Sequence, residues 1–180
     1  DSPSLYTLHM TATSESSVDA IREKIGYRWF EFAEHGPFYL NGERLLLRGT
    51  HRHEEFAGYG NALPNSLHRQ DMIMIKEMGA NFVCLAHYPQ DPEVYRACDE
   101  LGLLVWDELP WCRGGVGGTV WKKHTLRLLK EQIKQNYNHP SIILWSLGNE
   151  MYWESDFDNG GNIDSLRSFL IELNDLAHEL

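Results

Sequence analysis

The sequence lacks several features that mark specialised protein classes. No apolar run approaches the length of a membrane-spanning helix, and no secretory signal pattern opens the chain. There are only three cysteines, without metal-ligand spacing, and an odd number cannot all pair within one chain. We therefore expect reduced thiols and no membrane partner, while the cellular compartment stays open.

Basic residues are also scarce, since 16 Lys and Arg stand against 26 Asp and Glu for a formal charge of −10. Binding to nucleic acid needs basic patches that neutralise phosphates, so no nucleic-acid partner is expected. The hydrophobic fraction of 42% and the aromatic fraction of 12% fit a globular protein with a substantial core. They exclude a disordered chain.

Residues 1–36 have the alternating apolar and polar pattern of half-buried strands. Strands are predicted at "SLYTLHMTA" and "YRWFEFAEH", and the polar "SESSVDAIREKIG" between them is predicted as a loop. Two strands do not make a stable unit alone, so residues 1–36 are interpreted as the last strands of a β-sandwich domain. Asn41-Gly42 then has the composition of a tight hairpin turn.

Strands and helices alternate in the rest of the chain, residues 37–180. The predicted strands are "LLLRGTH", "ANFVCLAH", "LLVWDE" and "SIILWSLGN". The predicted helices are "NSLHRQDMIMIKEMG" with Ser66 as N-cap, "DPEVYRACDELG" from Asp91-Pro92 to Gly102, residues 120–136, and a fourth from about Ile163. Four such units with apolar strands indicate a parallel sheet covered by helices.

Two observations favour the first half of a (β/α)8 barrel over a nucleotide-binding doubly wound sheet. No Gly-rich phosphate loop follows the first strand. Polar side chains instead follow every strand, and catalytic groups of a barrel come from the carboxyl ends of several strands.

Glu150 has the sharpest functional interpretation. It follows an apolar strand, and packing between Trp145, Trp153 and Asn149 would keep its carboxyl protonated, as a general acid requires. The alternative is a surface carboxylate that caps the following loop.

Asp107 and Glu108 repeat this layout after the third strand. Because side chains alternate along a strand, one should point into the barrel mouth and the other outward. The alternative is an acid pair that holds Arg52 or a neighbouring helix. His53 and His87 could bond ligand hydroxyls, although a lone histidine at a strand end is more often structural.

Aromatic residues cluster near the same strand ends and could pack on the apolar faces of sugar rings, or simply fill core space. They are Trp106, Trp111, Trp145, Trp153, Tyr88 and Tyr152. His51, His53 and Glu54 include a known metal-ligand spacing, but nothing elsewhere completes the set, so no metal is predicted.

Several of these segments resemble glycoside hydrolase family 2, which includes β-galactosidases, β-glucuronidases and β-mannosidases. "NHPSIILWSLGNE" resembles its acid/base signature, and "FYLNGERLLLRGTHRHEE" resembles the entry into its barrel. "GANFVCLAHYPQDPEVYRACDELGLLVWDE" resembles its second and third barrel strands. "SPSLYTL" resembles the end of the immunoglobulin-like sandwich domain that precedes this barrel.

The resemblance implies a retaining exo-glycosidase that uses two carboxylic acids on a terminal β-linked sugar. It implies Glu150 as the general acid/base and Asn149 as a contact of the sugar 2-hydroxyl. The other implied substrate-binding residues are His87, His53, Asp107, Glu108, Tyr88 and Trp111. It implies no metal or other cofactor here.

The sequence departs from the family in its length and at one position. The family's nucleophile follows a later strand than this chain contains, and Cys84 stands where the family typically has Arg. The loop "ELPWCRGGVGG" favours β-galactosidase, with β-glucuronidase or β-mannosidase as alternatives. Another alternative is a catalytically incomplete half-barrel that binds sugar or self-assembles. Its open sheet edges invite the remaining half of the barrel or another copy of the chain as partner.

Overall fold

The computed structural model describes residues 3–153 and 162–180, which form strands β1–β9 and helices α1–α4. The strands are β1 Tyr6–Thr13, β2 Val18–Ile25, β3 Phe30–Phe32, β4 Phe38–Leu40, β5 Glu43–Leu45, β6 Gly49–Arg52, β7 Phe82–Leu85, β8 Leu104–Glu108 and β9 Ile142–Ser146. The helices are α1 Asn65–Glu77, α2 Pro92–Leu101, α3 Thr119–Asn136 and α4 Ile163–Glu179. None of the helices in the described ranges is both long and apolar enough to cross a membrane.

Strands β6–β9 form a four-stranded parallel sheet in chain order, and a helix follows each strand. This is the predicted series of four βα units, so the interpretation as the first half of a (β/α)8 barrel is confirmed. One face of the sheet packs on the helices in a core that includes Met72, Val83, Val94 and Val105, each fully buried. The opposite face is the inner face of the barrel.

The three-stranded antiparallel sheet β3–β4–β5 packs at the amino ends of the parallel strands. Phe38 of β4 contacts Leu104 and Ile143, which lie at the starts of β8 and β9. This sheet therefore covers one end of the half-barrel and leaves the carboxyl ends of the strands for the site. It also spans residue 36, and the predicted domain boundary there stays a prediction.

Helix α2 begins and ends as the sequence predicts. The side chain of Asp91 accepts a hydrogen bond from the backbone N–H of Glu93, and Pro92 occupies the first turn. Gly102 ends the helix in the left-handed conformation, with φ of 68°. For α1, the predicted N-cap Ser66 is wrong, because the cap is Pro64 and the helix starts at Asn65.

The predicted loop at residues 14–26 is wrong for most of its length. Strand β2 pairs with β1 along eight residue pairs, from Tyr6–Ile25 to Thr13–Val18. The side chains of β1 are exposed rather than half-buried, and only Phe30–Phe32 of "YRWFEFAEH" is a strand. The charged composition of β2 suggested a loop, but the antiparallel ladder is made by backbone N–H and C=O groups and is compatible with charged side chains.

The predicted strand "LLLRGTH" is divided in the structure. Glu43–Leu45 pairs with β4, and only Gly49–Arg52 belongs to the parallel sheet. Between the two strands, the side chain of Asn81 bonds the backbone at Arg48 and Leu46 and guides the chain from one sheet into the other.

Candidate active site

The carboxyl ends of β6–β9 bring residues from four separate segments to one edge of the sheet. The register places Arg52 beside Leu85, Leu85 beside Asp107, and Glu108 beside Ser146. Because the strands are parallel, the residues that follow them meet at this edge. The predicted group His53, His87, Glu108, Asn149 and Glu150 therefore lies at one end of the half-barrel.

Glu108 and His87 form the centre of the group. Glu108 is only 2% exposed, and its Oε1 lies 2.7 Å from Nδ1 of His87. The hydroxyl of Ser146 lies 3.2 Å from Oε2 of Glu108 and acts as its donor. Both carboxyl oxygens therefore have partners, and the histidine ring is held by its Nδ1 side.

The other ring nitrogen of His87 faces the last strand. Its Nε2 lies 3.4 Å from Nδ2 of Asn149, which is a long contact, and the same Nδ2 is 3.6 Å from Sγ of Cys112. On the opposite side, the ring of His53 packs edge-on against His87 at a centroid distance of 5.2 Å. Groups from β6, β7, β8 and β9 are thus linked in one contiguous cluster.

Tyr88 lies behind His53 in this cluster. Its ring is 6.4 Å from that of His53, and its hydroxyl accepts a hydrogen bond from the backbone N–H of Glu54 at 3.1 Å. Tyr88 therefore links the segments that follow β6 and β7.

A buried polar network supports the same two segments from the helix side. Arg52, which is 6% exposed, donates to Asp71 at 2.7 Å and to Gln90 at 2.6 Å. Gln90 in turn donates to the carbonyl of Arg52, and Glu54 accepts from the backbone N–H of Asp91. The alternative that Asp107 and Glu108 hold Arg52 is wrong.

The backbone around Asn149 is fixed by a neighbouring loop. The N–H of Asn149 donates to the carbonyl of Trp111 at 2.8 Å, and the N–H of Arg113 donates to the carbonyl of Asn149 at 3.0 Å. Gly148 has φ of 145°, and a Cβ there would lie 2.6 Å from the carbonyl oxygen of Trp111. Only glycine tolerates this close approach, so Gly148 sets the path of the chain into Asn149-Glu150.

The expected burial of Glu150 is not found. The described part of the chain leaves its side chain exposed, with φ of 47° at the residue. Trp145 packs into the helix-side core, and Trp153 is 43% exposed with the guanidinium of Arg113 over its ring at 4.7 Å. Within the described residues, no aromatic enclosure surrounds the carboxyl.

Asp107 and Glu108 point to opposite faces, as the alternation predicts. Asp107 is fully buried on the helix side, where it accepts from the hydroxyl of Tyr95 at 2.8 Å and from Nδ2 of Asn136 at 3.2 Å. Burial raises the pKa of this carboxyl, and the hydrogen bonds from Tyr95 and Asn136 oppose the shift. This burial gives no support to the predicted substrate contact of Asp107, which stays a prediction.

Trp111 is likewise a core residue. It is 4% exposed, packs against the rings of Trp121 and Phe169, and donates its Nε1–H to the carbonyl of Gly115. The predicted sugar contact does not fit this burial, and the role of Trp111 is to support the loop that holds Asn149.

Cys84 lies on the inner face of β7, half-buried, where the family resemblance expects Arg. Burial, followed by the charges of Glu108 and Asp107, raises its pKa to about 11. The thiol is therefore neutral near pH 7 and cannot replace a cation. Ser146 and Cys112 are contacts that the sequence analysis missed. Side chains alternate along β9, so Ser146 lies on the same face of the sheet as Leu144. This alternation could have indicated that Ser146 faces the site.

Metal binding has no support in this cluster. The described residues contain no group of three or more His, Cys, Asp and Glu side chains that could hold a metal ion.

The model of the TIM barrel domain of glycosyl hydrolases family 2 matches residues 32–174. A protein from Formosa agariphila that carries the provisional name beta-glucuronidase is 66% identical over 99% of this chain and 22% of its own length. The beta-galactosidase of Thermoanaerobacter pseudethanolicus is 37% identical over 100% of this chain and 23% of its own length. The solved beta-glucuronidase of Parabacteroides merdae superposes with a TM-score of 0.95 at 48% identity, over 99% of this chain and 23% of that one. The chain thus spans less than a quarter of the length of these relatives.

Proposed function

The chain belongs to glycosyl hydrolase family 2, and from this premise we propose that it supplies the acid/base side of the active site of a retaining β-glycosidase. Glu150 is the proposed general acid/base, and Asn149, His87 and His53 are the proposed sugar contacts. The proposed nucleophile is a carboxylate from another part of a longer protein, because retaining hydrolysis needs two carboxyls about 5–5.5 Å apart.

The observation that supports this proposal best is the convergence of these groups at the carboxyl ends of four parallel strands. His53, His87 and Asn149 form one cluster, and the backbone of Asn149, the residue before Glu150, is fixed by hydrogen bonds to Trp111 and Arg113. Rigid placement of a proton donor lowers the cost of reaching the reactive geometry.

In the proposed reaction, Glu150 protonates the departing glycosidic oxygen while the second carboxylate attacks the anomeric carbon. Glu150, now ionised, then takes a proton from water, which releases the sugar. The exposure of Glu150 in this half-barrel fits a site that other strands complete. Trp106, on the same inner face, is also 36% exposed.

For the sugar, β-glucuronide is better supported than the β-galactoside that the sequence loop suggests. The 66% identical relative and the solved structure at 48% identity are named β-glucuronidases, whereas the β-galactosidase relative is 37% identical. A bound uronate carboxylate needs a cation to balance its charge, and the neutral thiol of Cys84 does not supply one. We therefore expect the cation to come from another part of the protein.

The acid/base role of Glu150 is tested by Glu150→Ala in the full-length protein. We expect turnover of an aryl β-glycoside to fall by roughly 10²–10⁴-fold, the range typical of a positioned general acid/base. Added azide, a nucleophile that needs no base, should restore turnover and yield a β-glycosyl azide. Unchanged turnover, or no azide product from an inactive variant, contradicts the assignment.

The sugar is tested on the unaltered full-length protein with 4-nitrophenyl β-D-glucuronide, β-D-galactoside and β-D-mannoside. We expect the highest kcat/KM for the glucuronide. A higher value for the galactoside would instead support the interpretation of the loop after β8.

A further inference from the structure

We propose that Glu108 is a positioning residue that acts through His87 and sets the orientation of the Asn149 carboxamide towards the substrate. This inference deepens the proposed function and rests on it for the identity of the ligand, a sugar hydroxyl. The chain of contacts itself is present in the described residues.

The first step is the tautomer of His87. As a carboxylate, Glu108 can only accept hydrogen bonds, and its Oε1 lies 2.7 Å from Nδ1 of His87. The ring must therefore carry a proton on Nδ1. In the neutral imidazole this leaves Nε2 as an acceptor.

The second step is the orientation of Asn149. Its amide nitrogen lies 3.4 Å from Nε2 of His87 and 3.6 Å from Sγ of Cys112. Nε2 of His87 and Sγ of Cys112 both act as acceptors in this arrangement, so each of the two amide protons points at one of them. With a proton on Nε2, in the other tautomer or in the imidazolium, that N–H would face the NH2 group, and two donors would oppose each other.

The third step concerns the carbonyl oxygen of Asn149, which is the group left to bind the ligand. Once the NH2 group faces His87 and Cys112, the carbonyl oxygen Oδ1 is directed away from them as a hydrogen-bond acceptor. A sugar hydroxyl can donate to this oxygen. The contact of the family's asparagine with the 2-hydroxyl then requires Glu108, although Glu108 itself is only 2% exposed and does not reach the sugar.

The chain contains a matched control for this relay. Asp99 is a second buried carboxylate whose Oδ2 lies 2.6 Å from a histidine Nδ1, that of His139. It is 5% exposed and lies at the opposite end of the sheet, next to the start of β9. Its removal disturbs a buried carboxylate–histidine pair without touching the cluster.

The experiment compares Glu108→Leu and Asp99→Leu in the full-length protein, with a 4-nitrophenyl β-glycoside and its 2-deoxy analogue as substrates. For Glu108→Leu we expect kcat/KM for the 2-hydroxy substrate to fall at least ten times more than for the 2-deoxy substrate. For Asp99→Leu we expect the ratio between the two substrates to stay at its wild-type value. Glu108→Gln, whose Oε1 can still accept from Nδ1, should restore most of the ratio.

An unchanged ratio in Glu108→Leu, or an equal change in both leucine variants, overturns the proposal. Neutron diffraction from the unaltered, deuterium-exchanged protein decides the first two steps even if a variant does not fold or no glycoside is hydrolysed. We expect deuterium on Nδ1 of His87. We also expect the deuterated amide nitrogen of Asn149 to be directed at Nε2 of His87. Deuterium on Nε2, alone or together with Nδ1, overturns the proposal.

Discussion

Two buried carboxylate–histidine pairs stand at opposite ends of the same parallel sheet. The upper pair, Glu108 and His87, lies at the carboxyl ends of the strands with a contact of 2.7 Å, and the lower pair, Asp99 and His139, lies at the amino ends with one of 2.6 Å. Their geometries are nearly the same, but their surroundings differ. A carboxylate–histidine pair therefore does not by itself identify a site.

The surroundings of the lower pair are structural. The ring of His139 stacks on the buried ring of Tyr95 at 5.3 Å, and Asp99 also accepts from the backbone N–H of Ser141. Arg28 donates to the carbonyls of Pro140 and Ile142 close by. At the upper pair, the free nitrogen of the histidine instead faces Asn149 beside the open mouth. The surroundings of this second ring nitrogen therefore distinguish the two pairs. The upper pair can act on a ligand, whereas the lower pair stabilises the fold.

Among the changes that test this comparison, the largest expected effect comes from Gly148→Val, which disturbs the upper end without changing the upper pair. The new side chain would collide with the carbonyl of Trp111, where even a Cβ lies 2.6 Å away. A displacement of Glu150 by about 1 Å costs on the order of 100-fold in turnover. Steady-state kinetics and thermal unfolding measure both consequences. Turnover within threefold of wild type would show that the loop does not set the position of Glu150.

Asp99→Leu breaks the lower pair and should act on stability alone. It leaves the Nδ1–H of His139 and the N–H of Ser141 without their acceptor, which costs about 2 kcal/mol of unfolding free energy. Chemical denaturation measures this loss, and kcat/KM should stay within twofold of wild type. A lower kcat/KM in a fully folded variant would contradict the structural role of the lower pair.

The reactivity of two cysteines, Cys84 and Cys98, allows the surroundings of the upper and lower pairs to be compared. Cys84 on the inner face has a pKa of about 11, and Cys98 beside Asp99 is fully buried with its pKa also raised by burial. Because only the thiolate reacts, alkylation of Cys84 should accelerate roughly tenfold per pH unit from pH 7 to 10. Cys98 should stay unmodified while the protein is folded. Peptide mass spectrometry follows each site, and rapid modification of Cys84 at pH 7 would contradict its low thiolate fraction.

The smallest effect is expected for Asp91→Ala, at the start of the helix that carries Asp99. The variant loses the bond from the side chain of Asp91 to the N–H of Glu93, which is worth about 1 kcal/mol of unfolding free energy. Denaturant unfolding checks this value, with Asp91→Ser as a control that keeps a capping oxygen. Equal losses in both variants would show that the cap is not the cause.

The sequence could predict elements whose signals are local. Asp91-Pro92 and Gly102 bound α2 in the sequence and in the structure, because capping and positive φ depend on single residues. Pairing is not local, and β2 was missed because its polar composition says nothing about its partner β1.

The candidate site was predictable to the level of strand ends. Parallel topology brings His53, His87, Glu108 and Asn149 to one edge once four βα units are recognised. Strand alternation predicts that Asp107 and Glu108 face opposite sides of the sheet. Which of the two is buried against the helices, and the burial of Trp111, depend on packing from distant segments. The expected enclosure of Glu150 failed for the same reason, because packing against the described residues leaves its side chain exposed.

The central claim, that Glu150 is the proton donor of a glycosidase, is tested most directly by the leaving-group dependence of kcat/KM in the full-length protein. A series of aryl β-glycosides whose phenols differ in pKa is compared in wild type and Glu150→Gln. A proton donor makes poor leaving groups depart almost as easily as good ones, so wild type should show a shallow dependence. Glu150→Gln should show a steep one, with its deficit growing to about 100-fold or more for the most basic phenols. Parallel dependences in the two proteins would contradict the claim.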